Sequence, residues 1–395
     1  MKIYVWFPML VSLGLGFIFM NIPPLGQQFM DMLGVSYGGL SFLLSGLFWS
    51  HAFGQLPAGL IADRFSPWTT LMAGLAICLA ANVAPFIDPH SLALATAMRF
   101  FLGAGTSLSF LATMKVMHIL APSEKITSIQ GLQGAAFSLG FMLPYAVLPH
   151  LGDQAWPYAY LIAVALMALC MAAAFLLPRD RLAPSGSPKS RTEIWRAVKD
   201  ICTAKPIWAL GIFHGLSYGS LNNLGNWLPS ILADLGGLGD PAAWSLAAMI
   251  LLLLGALGRA FGGSLLLSRF TRSAAVNGAV LLICALYIVM GLAGQKYMVI
   301  GSAFLMALAC GSTYGGIFTL SAGAAGAAYA ATAMGVMNMI GNLFNVALTL
   351  VFGFVREFTG HFSLSLLAAG TVGVLCWILG RKVVTGLDRR LRPEP

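Results

Sequence analysis

The sequence is poor in charge. Only 9% of its 395 residues are Asp, Glu, Lys or Arg, whereas 58% are hydrophobic and the mean hydropathy is +0.84. Side chains of that composition cannot all be hidden in one water-facing core, which makes the chain an integral membrane protein. Alternation of polar and apolar residues in segments of about ten is also missing, and without it a β-barrel is excluded. The six cysteines, Cys78, Cys170, Cys202, Cys284, Cys310 and Cys376, show no CxxC spacing and fall mostly in apolar runs. They read as small buried hydrophobes, with no metal or redox centre expected. No nucleophile–base or metal-ligand spacing suggests an enzyme, and no cofactor is expected.

Acids are the scarcest charged class, 13 Asp and Glu against 22 Lys and Arg. In a water-soluble chain the resulting net charge of +9 would suggest nucleic acid, but here the basic residues stand where membrane topology puts them. No nucleic-acid partner is expected.

What the chain has in abundance is apolar runs long enough to cross a bilayer, which takes about 20 residues. Twelve are expected, near 5–28, 37–62, 68–87, 91–118, 126–149 and 155–177, then 206–230, 242–267, 273–293, 297–321, 327–353 and 361–380. The first run is too long for a signal peptide and lacks a small-x-small cleavage site, so it is expected to be kept as a span. Residues 1–177 thus form a first six-helix bundle and 206–380 a second, with a linker at 178–205 and a basic cytoplasmic tail at 381–395. Within the linker, Arg191–Cys202 (RTEIWRAVKDIC) has the pattern of an amphipathic helix on the membrane surface.

Orientation follows from the basic residues. With the N-terminus inside, Lys2, Arg64, Lys125, the basic residues of 178–205, Arg269, Arg272 and those of the C-terminal tail are all cytoplasmic. Only Lys296 and Arg356 fall outside, and Arg99, Lys115 and Arg259 fall within spans. This bias puts both termini in the cytoplasm.

The chain also repeats itself. Gly54–Trp68 (GQLPAGLIADRFSPW) closes the second span, and Gly258–Ser273 (GRAFGGSLLLSRFTRS) closes the eighth half a chain later. The two halves are parallel repeats of six spans. Two such halves, a basic middle loop, the loop signature ending at Asp63 and Arg64, and Arg99 four residues before Gly103 in span 4 resemble the major facilitator superfamily. The usual loop signature continues with Gly and a basic residue, whereas Ser66, Pro67 and Trp68 follow here. The resemblance implies an all-α membrane protein of twelve transmembrane helices in two pseudo-symmetric six-helix bundles. It also implies a secondary carrier whose bundles rock around a central site, exposing it alternately to each side. Asp63, Arg64 and Arg269 are then gating candidates, a latch at the cytoplasmic helix ends, or else charges that mark the membrane boundary.

Charge within the spans marks candidate substrate contacts, because a central Arg or Lys costs about 2.5–3.5 kcal/mol on insertion scales. All 13 acids lie in loops or at helix ends, so an anion could supply the missing charge for Arg99 and Arg259. At about 100° per residue, Arg99 and Lys115 point to nearly opposite faces of span 4, and Lys115 is close enough to the cytoplasm to snorkel. Arg99 either contacts substrate or bonds backbone carbonyls of adjacent helices. Arg259 lies four residues before Gly263 as Gln55 lies four before Gly59. That arrangement is similar to the nitrate/nitrite porter branch, which has arginine at both positions; Gln55 departs from it.

Neutral polar residues add a second layer. Asn338, Asn342 and Asn345 form one helical stripe, and Asn222, Asn223 and Asn226 cluster in span 7 near Tyr218. They line an aqueous cavity or serve as interhelix hydrogen bonds. Asn21 precedes Pro23 and Pro24, which should break span 1 and free its carbonyls. His51 and His214 are candidates for proton coupling, with hydrogen-bonded packing as the alternative. Substrate contacts are thus expected at Arg259, Arg99, Gln55, Asn338, Asn342, Asn222 and Tyr218. The expected function is secondary transport of a small organic or inorganic anion by a monomer in the bacterial inner membrane, with a possible coupling proton or counter-substrate. A multidrug or metabolite exporter of the same fold is the first alternative, although its usual membrane acid is missing. A non-transporting sensor or scaffold is the second, although it would be expected to carry a soluble domain larger than 178–205.

Overall fold

The computed structural model describes residues 2–122, 126–152, 154–182, 191–236, 241–262, 269–325 and 330–390. Everything regular in it is helical. Helix α1 (Ile3–Met20) is the first apolar run, and it stops where Pro23 and Pro24 open a 3-10 turn, Pro23–Leu25. A proline ring supplies no N–H donor, so carbonyls in the last turn of α1 lose their intrahelical partners. The short α2 (Gly26–Leu33) follows and ends at Gly34, whose φ of +62° is the left-handed region that glycine adopts without strain.

Helix α3 (Tyr37–Arg64) starts with Ser36 accepting from the Gly39 amide, and α4 (Pro67–Val83) with Ser66 accepting from Thr69 at 3.1 Å. In α5 (Leu92–Leu120) Ser91 does the same for Leu94. These hydroxyls satisfy donors that a helix start leaves unpaired. Helices α6 (Ile126–Val147) and α7 (Trp156–Ala174) complete the first set.

Helix α8 occupies Arg191–Cys202, the amphipathic stretch expected in the linker. Its apolar residues Val198 and Ile201 are buried, and Ile201 joins a core with Leu210, Phe213, Val280, Ile317, Met337 and Leu387. The next span is composite: α9 (Lys205–His214), a π-helical segment Gly215–Gly219, and α10 (Ser220–Gly236). Helix α11 (Pro241–Leu257) runs into a second π segment, Gly258–Gly262. Helices α12 (Arg272–Leu292), α13 (Lys296–Ala325), α14 (Ala330–Thr359) and α15 (Ser363–Arg390) follow.

The helices gather into two compact units, Met1–Ser187 with Pro241–Met249, and Pro188–Asp240 with Ile250–Pro395. In the first unit α5 packs on α3 and α4, α1 on α6, and α4 on α7. In the second, α12 packs on α13 and α15, α14 on α9 and its π segment, and α13 on the second π segment. Large apolar side chains such as Leu161, Leu169, Leu375 and Leu379 stay exposed, which lipid accepts and water would penalise.

Among the described residues, ten helices are long and apolar enough to cross a membrane. The two expected spans outside that set are α3, whose run is interrupted by Ser41, Ser45, Ser50, His51 and Gln55, and the composite α9–α10, divided by its π segment and three asparagines. Both are helical over a bilayer-spanning length, so the twelve-helix, two-bundle architecture holds.

Candidate functional site

In the first unit the polar residues of α3 close on one another. The Gln55 amide donates to His51 Nε2 at 2.8 Å, which places the ring proton on Nδ1. Nδ1–H donates to Thr106 Oγ1 at 3.0 Å, and the Thr106 hydroxyl donates to the Gly103 carbonyl at 2.9 Å. The Phe19 ring meets the imidazole edge-on at 5.0 Å. This cluster is neutral and buried, and both ring nitrogens of His51 are bonded.

Arg99, on α5, reaches the end of α1. Its guanidinium donates to the Ile18 carbonyl at 3.0 Å, to Asn21 Oδ1 at 3.1 Å and to the Phe19 carbonyl at 3.5 Å. Asn21 in turn donates to the Ala159 carbonyl on α7. The acceptors are those that the break before Pro23 releases, and a cation at a helix C-terminus also meets the negative end of its dipole. Arg99 is only 2% exposed.

In the second unit the expected residues converge on Arg259. Its guanidinium carbon lies 5.1 Å from the Tyr314 ring centroid and 5.7 Å from that of Tyr218, within cation–π range. Tyr218 stacks flat on His214, with 5.1 Å between ring centroids and 2° between planes. Phe318 stands edge-on to His214 at 5.4 Å and packs on Tyr314 at 4.5 Å. His214 Nε2 lies 3.1 Å from Asn338 Oδ1, and the Asn342 amide donates to the same oxygen at 3.3 Å and to the Asn338 carbonyl at 2.9 Å. Asn222 follows Tyr218 by one turn and is buried. Arg259, Tyr218 and Asn338 are half-buried and Tyr314 is exposed, so the cluster has an open side.

Both π segments belong to this cluster, since Gly215–Gly219 carries Tyr218 and Gly258–Gly262 carries Arg259. Such bulges inside α-helices occur frequently at functional sites. Close helix crossings set the depth of the residues. Gly103 of α5 lies on the Leu47 carbonyl and the His51 amide, and Gly311 of α13 lies on the Gly255 carbonyl and the Arg259 amide. A Cβ at either glycine would overlap backbone atoms. Matched by these crossings, Arg259 stands where His51 stands; matched by the sequence echo, it stands opposite Gln55, one turn on. Since His51 and Gln55 bond each other, both registers give the same contrast: a neutral pair in one half and a guanidinium in the other.

The remaining candidates are placed as follows. Arg269 is exposed, and the side chains of Asp63 and Arg64 lie outside the described ones. Lys115 is half-buried. Asn345 and Asn226 are buried with neither amide atom bonded, and the Asn345 Cβ lies against Gly219 of the π segment. The sequence placed Thr106 on the same helical face as Arg99 without a role, and gave no role to Tyr314 and Phe318. Tyr314 lies three residues after Gly311, on which α13 meets Arg259, and that crossing leaves no mark in the sequence.

Duplicated helical bundles, membrane-length apolar helices and an arginine–aromatic–amide cluster within them define a polytopic membrane transporter. The profile of the Major Facilitator Superfamily matches residues 8–349, and the chain belongs to that family and is a secondary transporter. No curated protein matches it. Among solved structures, a POT family transporter in complex with 5-aminolevulinic acid superposes with a TM-score of 0.78 at 14% identity, over 98% of this chain and 96% of that one. A bacterial homolog of the human lysosomal transporter Spinster, inward-facing and unoccupied, superposes with a TM-score of 0.75 at 16% identity, over 99% and 98%. A POT family transporter in complex with a thioalcohol-conjugated peptide gives 0.78 at 14%, over 98% and 96%. At these identities the likeness concerns the fold.

Proposed function

We propose that the transporter carries a small anion, organic or inorganic, by alternating access. The observation that carries this reading is Arg259, set within a span on a π segment with its guanidinium over the Tyr218 and Tyr314 rings and its side chain half open. An arginine at membrane depth costs about 2.5–3.5 kcal/mol. Cation–π contact returns about 0.5–2 kcal/mol, and a bound anion adds a charge partner of the geometry a planar fork favours. Tyr218, Asn338, Asn342 and Asn222 orient the anion. Arg99 holds the broken end of α1 and contributes to shape more than to charge. Asp63, Arg64 and Arg269 act at the cytoplasmic gate. The distribution of Lys and Arg supports an orientation with both termini in the cytoplasm.

A thermal-shift screen of the purified protein tests the charge class, because a ligand that binds only the folded state raises its stability, by about 2.7 kcal/mol at a hundredfold excess over Kd. Nitrate, inorganic phosphate and benzoate are set against choline and glucose. At least one anion is expected to raise the melting temperature, with the shift lost in Arg259→Gln. Stabilisation by choline or glucose alone would overturn the anion reading.

A further inference from the structure

His51 and His214 are both buried in spans, yet their hydrogen bonds close differently. His51 spends both ring nitrogens, accepting from Gln55 on Nε2 and donating from Nδ1 to Thr106. A second proton on its Nε2 would face the Gln55 amide N–H and break the chain. At His214 the Asn342 amide marks Asn338 Oδ1 as an acceptor, so the hydrogen of the 3.1 Å contact comes from His214 Nε2. The other ring nitrogen, Nδ1, then carries a lone pair, and it is buried with no hydrogen-bond partner. Buried acceptors of this kind are seldom left unbonded in native proteins without a use. Protonating Nδ1 breaks no bond already made.

The groups facing His214 among the described residues are few. Its own helix supplies Tyr218, stacked at 5.1 Å, and α13 supplies Tyr314 at 6.4 Å and the neutral Phe318. Helix α14 offers Asn338, with Asn342 behind it, and Gly341, on which the imidazole lies. The charged neighbour is Arg259, which shares the Tyr218 ring.

We propose that His214 Nδ1 is the proton site of this carrier and that it loads together with the anion; the assignment rests on the anion reading above. A proton on Nδ1 makes a second cation beside Arg259, and two cations in one low-dielectric site repel. A bound anion reverses that sign. Proton and anion therefore strengthen each other's binding, and by linkage the factor is the same in both directions. The proton comes from water on the loading side and forms the N–H bond at Nδ1, leaving Nε2–H on Asn338. The same bond breaks on the release side, where the proton leaves with the anion. A proton gradient thus drives an anion without a carboxylate inside the membrane.

The experiment uses the full chain in detergent and benzoate, a carboxylate that a guanidinium fork can pair with, with nitrate and inorganic phosphate as further probes. Calorimetric titrations in Tris and in Bis-Tris near neutral pH count the protons taken up, because the two buffers release different heats. Wild type is expected to take up close to one proton per anion on the alkaline side of the histidine's titration, with affinity falling about tenfold per pH unit there. His51→Gln should still take up close to one proton per bound anion, and His214→Gln should bind with no proton uptake and no pH slope. Binding by wild type without proton uptake overturns the proposal and leaves the anion reading standing, as does undiminished uptake in His214→Gln. Binding of none of the three anions removes the anion reading and the proposal with it. If His214→Gln does not fold, wild-type protein labelled with nitrogen-15 at histidine is measured in lipid. The Nδ1 resonance of His214 should move from unprotonated to protonated on adding benzoate, and an unchanged resonance overturns the proposal.

Discussion

Arg99 and Arg259 are both membrane arginines, and their surroundings give them opposite uses. Arg99 is committed, with carbonyls of α1 and the Asn21 amide as acceptors. Arg99→Ala should leave those acceptors unsatisfied and cost about 1–3 kcal/mol. That cost is to be seen as a lower melting temperature in purified protein with the affinity for a stabilising anion unchanged. Arg259 is held by ring faces and stays half open, so Arg259→Lys keeps the charge and loses the planar fork. About tenfold weaker anion binding is expected, read from the same thermal titration. The sequence placed both arginines within spans and left open which groups they meet. The partner of Arg99 at Ile18 is 81 positions away, and the repeat offers no counterpart from which to infer it. Tyr314 stayed hidden for a similar reason: only the crossing of α13 at Gly311 reveals that it reaches Arg259.

Helix ends and helix breaks follow local chemistry closely, so most were legible. Pro23 and Pro24 end α1, and α8 spans the residues its amphipathic pattern marked, while Ser36, Ser66 and Ser91 supply the hydroxyl caps of α3, α4 and α5. The departure from the family's loop signature also acquires a purpose. Pro67 opens α4, and the Trp68 indole donates to the Ala174 carbonyl of α7 at 2.9 Å while the Arg179 guanidinium covers its ring at 4.1 Å. The two π segments were not legible, because an extra residue in a helical turn is decided by packing partners and leaves no mark in the hydrophobic pattern. Since the second of them lies on Gly311, Gly311→Val should separate α13 from it. Overpacking of about 1–3 kcal/mol or more is expected, with loss of anion stabilisation ahead of loss of folded protein in size-exclusion and thermal assays. Far from that crossing, Arg356 of α14 makes a two-pronged pair with Asp234 of α10, at 2.7 and 3.0 Å. Each partner is about one-fifth exposed. Asp234→Asn removes this charged pair and should cost about 1–3 kcal/mol while leaving anion binding unchanged.

At the scale of the molecule, duplication explains why the chain carries two bundles with matching crossings, and the site explains why the halves differ. The six-plus-six plan was legible because spans of about 20 apolar residues and a repeated loop are coarse signals. What distinguishes the halves, a bonded Gln–His–Thr chain in one and an Arg–Tyr–His–Asn cluster in the other, depends on which side chains meet across helices, and spacing alone does not give that. The topology predicts that reporters fused at either terminus stay on the cytoplasmic side, whereas single cysteines beside Lys296 and Arg356 are labelled from outside; labelling of those loops only from inside would reverse the orientation. The central claim is that Arg259 carries the anion through the membrane. It is tested most directly by uptake, into vesicles containing the purified protein, of the anion that most stabilises it. The expected result is saturable uptake by wild type and a loss of at least about tenfold in Arg259→Gln, equivalent to about 1.4 kcal/mol. Normal uptake of that anion by a folded Arg259→Gln protein would contradict it.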